Sequence, residues 1–144
     1  MNMHDALRKA GVAAPPSKGT YFDERGSLKL EFVAKSNVET LARDLARDRL
    51  NMHQLRRFFN YCREIERRLR STQSVWEAEK SNVARLSAFA ADAGGKGKIP
   101  KSFRDFIDKN VERCKTRSDF LEGFMKHFEA LVGFAALYLK EERP

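Results

Sequence analysis

The chain has 144 residues, with 28 Lys plus Arg against 20 Asp plus Glu, a net charge of +8, and 42 % apolar residues that include eleven phenylalanines. That apolar share supports one packed core and argues against a disordered tail, while the basic balance favours polyanionic partners, nucleic acid before an anionic membrane. No apolar run approaches the roughly eighteen residues of a membrane span, and "MNMHDALRKAGVAAPP" lacks the apolar centre of a signal peptide, so the expectation is a soluble cytoplasmic protein.

Residues 1–20 read as a flexible or weakly helical N-terminal segment: a short helix over 1–12, then the breaker-rich linker "AAPPSKGT". Residues 21–144 read as a single helical domain. "YFDERGS" is turn-like, punctuated by Asp23, Gly26 and Ser27. From Leu28 the spacing predicts a first helix to Arg49, its apolar face made of Leu30, Val33, Val38, Leu41 and Leu45. Asn51 is placed to cap a second helix over Met52–Arg70. A third covers Val75–Ala93, with Trp76, Val83, Leu86, Phe89 and Ala90 facing inward, and ends at "GGKGK". Pro100 opens a fourth, whose buried stripe is Phe103, Phe106, Ile107, Val111 and Cys114. Thr116, with Asp119 three residues on, starts a last helix over Arg117–Glu142. With no strand-like alternation, the fold class is all-α, a compact bundle of about five helices.

The second helix is the most informative. On a wheel of about 100° per residue, Leu55, Phe58, Phe59, Cys62, Ile65 and Leu69 form the core sector. Arg56, Arg63, Arg67 and Arg70 gather on one side of it, with Asn60 at the edge; Arg57 and Arg68 fall on the opposite flank. The stripe is about 20 Å long at about 1.5 Å per residue, enough to follow several phosphates. Guanidinium groups stay charged and bind phosphate in bidentate fashion, and displaced counterions drive such binding without reading sequence. Acidic interruption on the helix is light, Glu64 and Glu66 only. The plainer alternative is a solvated face with weak ion pairs. Lys80 and Arg85 on the third helix, and Lys96 and Lys98 in the glycine loop, extend the basic set, either as contacts or as solvated charges. The phenylalanines occupy core positions, so base stacking is not expected from them.

Nothing points to catalysis or to a metal. His4, His53 and His127 are scattered, His127 suiting a partly buried interface; the two cysteines, Cys62 and Cys114, read as buried apolar side chains; "GGKGKIP" lacks the phosphate-loop spacing.

Four segments in order, "YFDERGSLKLEFV", "LNMHQLRRFFNYCREIERRL", "ARLSAFAADAGG" and "FLEGFMKHFEALVGFAALYLK", resemble the small subunit of type III-A CRISPR effector complexes, the Csm complex, over about residues 21–140. The resemblance implies a non-catalytic helical bundle with no cofactor. Several copies would stack head to tail beside the crRNA–target RNA duplex, among the other Csm subunits, and touch RNA mainly by its backbone. Other subunits of such complexes cut target RNA, degrade DNA and make cyclic oligoadenylate. Carried over by position, the family's basic residue after Gln-Leu is Arg56, with Arg57 beside it, and Arg85 matches its third-helix basic residue. The loop departs from the pattern: "GGKGK" stands where arginine is common, and Lys96 or Lys98 cannot supply the same fork. Two other readings stay open: an assembly subunit whose basic face meets acidic protein surfaces, and a helical DNA-binding regulator, for which no base-reading Asn or Gln cluster follows "RDRLNMHQ".

Overall fold

The computed structural model describes residues 20–141; the expected short N-terminal helix over 1–12 and the linker after it lie outside them. A 3-10 turn, Leu30–Phe32, leads into α1 (Lys35–Arg47), α2 (Met52–Arg70), α3 (Trp76–Gly95) and α4 (Lys101–Arg113). A π-helical turn, Asp119–Phe124, runs directly into α5 (Met125–Ala135). Among the described residues there is no strand, only an isolated antiparallel bridge between Phe22 and Leu28. The all-α class follows.

Local signals set several boundaries. The Asn51 side chain accepts from the Gln54 N–H at 2.9 Å and starts α2 where expected. Thr116 and Asp119 exchange reciprocal bonds of 3.1 Å, each side-chain oxygen accepting the other residue's backbone N–H. The Asp23 carboxylate accepts from the N–H groups of Arg25 and Ser27, and Gly26 supplies the φ of +81° that turn needs. The "GGKGK" stretch is a built cap rather than a slack loop. Gly97 takes a φ of +71°, its N–H bonds to the Gly94 carbonyl, and the Lys98 N–H reaches back to Ala93 at 2.9 Å.

Long-range packing decides the rest. The expected helix over Leu28–Arg49 is broken: Leu28 sits in the bridge and Ala34 is extended. The cause is Phe32, which packs against Tyr21 and His127, while its carbonyl accepts from His127 Nδ1 at 2.6 Å. His127 is thus an interior residue, and burial pushes its pKa below 6.5. Tyr21 is fully buried and donates to the Asn110 side-chain oxygen at 2.6 Å. The π turn brings Gly123 against it; a Cβ there would stand 2.9 Å from the Tyr21 Cβ and closer still to two ring carbons. Helix α5 ends at Ala135, short of the expected Glu142. The chain then returns to α2, where the Lys140 and Glu141 carbonyls accept from the Met52 and His53 N–H groups and complete the cap.

The phenylalanines form one core: Phe58 meets Phe103 edge-on at 5.3 Å, Phe59 meets Phe128 at 5.2 Å, and Phe124 stacks on Phe128 at 5.5 Å. Adjacent residues of α2 thereby grip α4 and α5 separately, which fixes the helix's rotation. Both cysteines are free thiols, Cys62 fully buried and Cys114 partly so, and burial raises the pKa of each.

Candidate nucleic-acid interface

With α2 held by Phe58 and Phe59, its basic residues divide as the wheel predicts except at Arg56, which lies beside Arg57. Arg63, Arg67 and Arg70 surround one shallow depression, and Arg56 lines another with Arg57, His53 and Asn60. The stripe is not free of acid. Arg56 meets Glu141 at 2.7 Å, Arg67 meets Glu64 at 3.0 Å, and Arg63 lies 2.9 Å from Glu66 and 3.8 Å from Glu129. Arg70 lies between Glu66 at 3.4 Å and Glu122 at 3.2 Å. Counting carboxylates on α2 alone underestimated the pairing, because Glu122, Glu129 and Glu141 arrive from the π turn, α5 and the returning chain end. The pairs are not sealed: the four arginine side chains keep 44–54 % of their surface exposed.

The opposite flank faces α3. Arg68 forms a two-point bond with Glu79, 2.9 and 2.8 Å, and Asn82 donates to the same carboxylate. These bonds hold the Glu79 pKa down to about 2 although its side chain is nearly buried. Arg68 is thereby a structural residue that ties α2 to α3.

Among the described residues Arg57 bonds only the Gln54 side-chain oxygen, at 3.1 Å. Beside it a groove of about 270 Å³ opens between α2 and α3, floored by Phe58 and Leu86 and flanked by Tyr61, Phe89 and Lys98. The Tyr61 hydroxyl donates to the Asn82 carbonyl at 2.8 Å, and its ring meets Phe89 edge-on at 5.3 Å. The Arg85 guanidinium lies over Phe89 at 5.3 Å. Phe89 is therefore not the inward residue the spacing suggested; it is 37 % exposed, because Val83, Leu86 and Ala90 already fill the seam beneath α3. None of Arg57, Arg85 and Lys98 has an ion-pair partner among the described residues. Asp92, on the groove's rim, is bonded to Lys96 at 3.1 Å. Lys80 stands apart, paired with Glu77 at 2.7 Å.

Of the predicted set, the fold gathers Arg63, Arg67 and Arg70 on one side and Arg57, Arg85 and Lys98 on the other. It leaves Lys80 and Lys96 in pairs within their own stretch of chain. Sequence reasoning put Phe89 in the core and did not single out Tyr61. Their signal was a basic–aromatic spacing of four on consecutive helices, Arg57 with Tyr61 and Arg85 with Phe89. Among the described residues no cluster of His, Cys, Asp and Glu could hold a metal, and no helix is long and apolar enough to cross a membrane.

Residues 30–141 match a family model described as Csm2 Type III-A. No curated protein and no solved structure matches the chain.

Proposed function

Since the chain belongs to the Csm2 Type III-A family, and is accordingly a subunit of a type III-A CRISPR effector, we propose that it is a non-catalytic RNA-binding subunit. In this reading several copies stack along the crRNA–target RNA duplex, among the other Csm subunits. They touch the RNA backbone through Arg56, Arg57, Arg63, Arg67 and Arg70 of α2, with Arg85 and Lys98, and Lys80 and Lys96 at the margin.

The observation that supports it is the exposed row of guanidinium groups held in register by a buried aromatic seam. Its carboxylate partners do not oppose it. Ion pairs this exposed contribute about 0–1 kcal/mol each, so phosphate oxygens can take the place of the glutamates. Bidentate arginine–phosphate bonds and the release of condensed counterions then favour RNA. The test is an Arg56→Glu, Arg63→Glu double variant, measured against single-stranded and duplex RNA across a salt series. Weaker binding and a shallower salt slope are expected; wild-type affinity would overturn the reading.

A second reading has its own observation. Each stripe arginine already holds a carboxylate, which is how this flank would meet the acidic surface of another subunit or copy. Copurification that survives thorough nuclease treatment, with no RNA crosslink to these arginines, would favour that assembly role.

A further inference from the structure

The groove between α2 and α3 differs in chemistry from the arginine stripe. The stripe sets Arg56, Arg63, Arg67 and Arg70 among Glu64, Glu66, Glu122, Glu129 and Glu141, so its local charge is close to balanced. Arg57 and Lys98 line the groove and Arg85 stands beside it over the Phe89 ring; none of the three has an ion-pair partner among the described residues, and the groove's carboxylate, Asp92, is already held by Lys96. It also offers ring surface: Phe89 is the aromatic side chain among the exposed large apolar residues.

We propose that this groove is a nucleotide subsite, in which one unstacked base of an RNA strand lies against Phe89 and Tyr61 while neighbouring phosphates engage Arg57, Arg85 and Lys98. The proposal deepens the RNA-binding reading and rests on it. Size favours a single ring system: about 270 Å³ lies just below the roughly 300–1,000 Å³ of pockets for drug-sized ligands. The walls are set before any ligand arrives. The Tyr61 hydroxyl is tied to Asn82, the Phe58 floor is anchored on Phe103, and the Gly97 cap fixes where Lys98 leaves the chain. Bases stack on aromatic rings and on guanidinium planes, and every base has such a face, so the subsite would accept RNA without reading its sequence. An acidic peptide would answer the cations and make no use of the Phe89 surface that Arg85 and Tyr61 leave exposed.

The test compares two oligomers of equal length, an intact single-stranded RNA and an abasic ribose–phosphate chain. Both are titrated by fluorescence anisotropy with the full chain as wild type, Phe89→Leu and Phe89→Tyr. Leucine keeps apolar volume and loses the ring face, so the fold is preserved, as circular dichroism will verify. The expected result is a loss of at least about fivefold for Phe89→Leu on intact RNA, no change on the abasic chain, and near-wild-type affinity for Phe89→Tyr. Equal loss on both oligomers, or none on either, overturns the subsite. If Phe89→Leu binds intact RNA normally while the Arg56→Glu, Arg63→Glu variant fails, the groove is refuted and RNA binding stands. Wild type that binds neither oligomer refutes both. A Phe89→Leu protein that keeps its RNA affinity but no longer joins its partner subunits assigns the groove to a protein and likewise overturns the proposal.

Discussion

On one flank of α2, Arg56, Arg63, Arg67 and Arg70 each reach a carboxylate; on the other, Arg57 reaches only an amide oxygen among the described residues and Arg68 is locked to Glu79. Both flanks carry the same residue type on the same helix. They differ in what distant segments bring beside them. The first combines Glu64 and Glu66 of α2 with Glu122, Glu129 and Glu141 from the C-terminal third of the chain, the second meets a helix that presents an aromatic ring and, just past its end, a lysine. A guanidinium's availability is therefore a tertiary property. The first flank would exchange one set of anions for another, which suits reversible contact in several registers. The second has cations that nothing in the described protein neutralises.

The comparison depends on α2 not turning about its own axis, so the largest effect should come from the residues that hold it. Phe58 is buried, touches Phe103 and floors the groove. Phe58→Ala should cost about 3–5 kcal/mol of stability, and Phe59→Ala less, because Phe59 is only partly buried. Urea denaturation would measure both. If Phe58→Ala left stability and both basic surfaces unchanged, the two flanks would not owe their separation to this anchor.

How much of this was legible beforehand follows from the range of the interactions involved. The start of α2 at Asn51 and the Thr116–Asp119 box are local bonds between residues three apart, and they stand where the sequence puts them. The core sector of α2 and the sorting of its arginines follow from helical period alone. The break in the first predicted helix does not, because it depends on Tyr21 and His127 reaching Phe32 from either side along the chain. Nor does the burial of Tyr21 from a segment that reads as a turn, which needs the absent side chain of Gly123. The exposure of Phe89 depends on how closely α2 and α3 approach, and the pairing of Arg56 on where the chain end returns. Periodicity assigns a face to a helix; it does not say what another element lays on that face.

A smaller effect tests the locked member of the second flank. Glu79 has a folded pKa of about 2 against an ordinary 4.5, so its ionised form is favoured by folding. That contribution is complete above about pH 4.5 and is lost as the pH falls toward 2. Glu79→Gln should lower stability at neutral pH by about 1–3 kcal/mol, reduced from a fully buried pair because Arg68 is one-third exposed, and should flatten the acid limb between those values. His127 adds a separate and earlier loss. Its folded pKa lies below 6.5, so the unfolded chain takes up that proton first and stability declines as the pH drops through the mid-6 range. Thermal melts of wild type and Glu79→Gln from pH 8 to pH 2 would separate the two. An unchanged acid limb in the variant would mean that the Arg68–Glu79 pair does not tie α3 to α2, and the groove would lose one of its hinges.

The smallest effect is also the sharpest on the comparison itself. If the glutamates compete with phosphate on the first flank, removing two of the three that come from distant elements, Glu122 and Glu129, should leave Arg63 and Arg70 with only Glu66 to share. Glu122 lies 3.2 Å from Arg70, and Glu129 lies 3.8 Å from Arg63. Both pairs are exposed, so each substitution alone should cost little stability and raise RNA affinity by less than about fivefold, the equivalent of about 1 kcal/mol. Glu122→Gln, Glu129→Gln protein should bind RNA more tightly than wild type at low salt, and the gain should shrink as salt screens the remaining charges. The same pair of changes should leave any dependence on Phe89 untouched, because neither glutamate lines the groove. Should the double variant bind RNA no better, the carboxylates are spectators and the first flank is not where phosphate competes. Should it instead lose its place among the other subunits, that flank is a protein surface, and the basic groove on the far side of α2 is left as the face that meets nucleic acid.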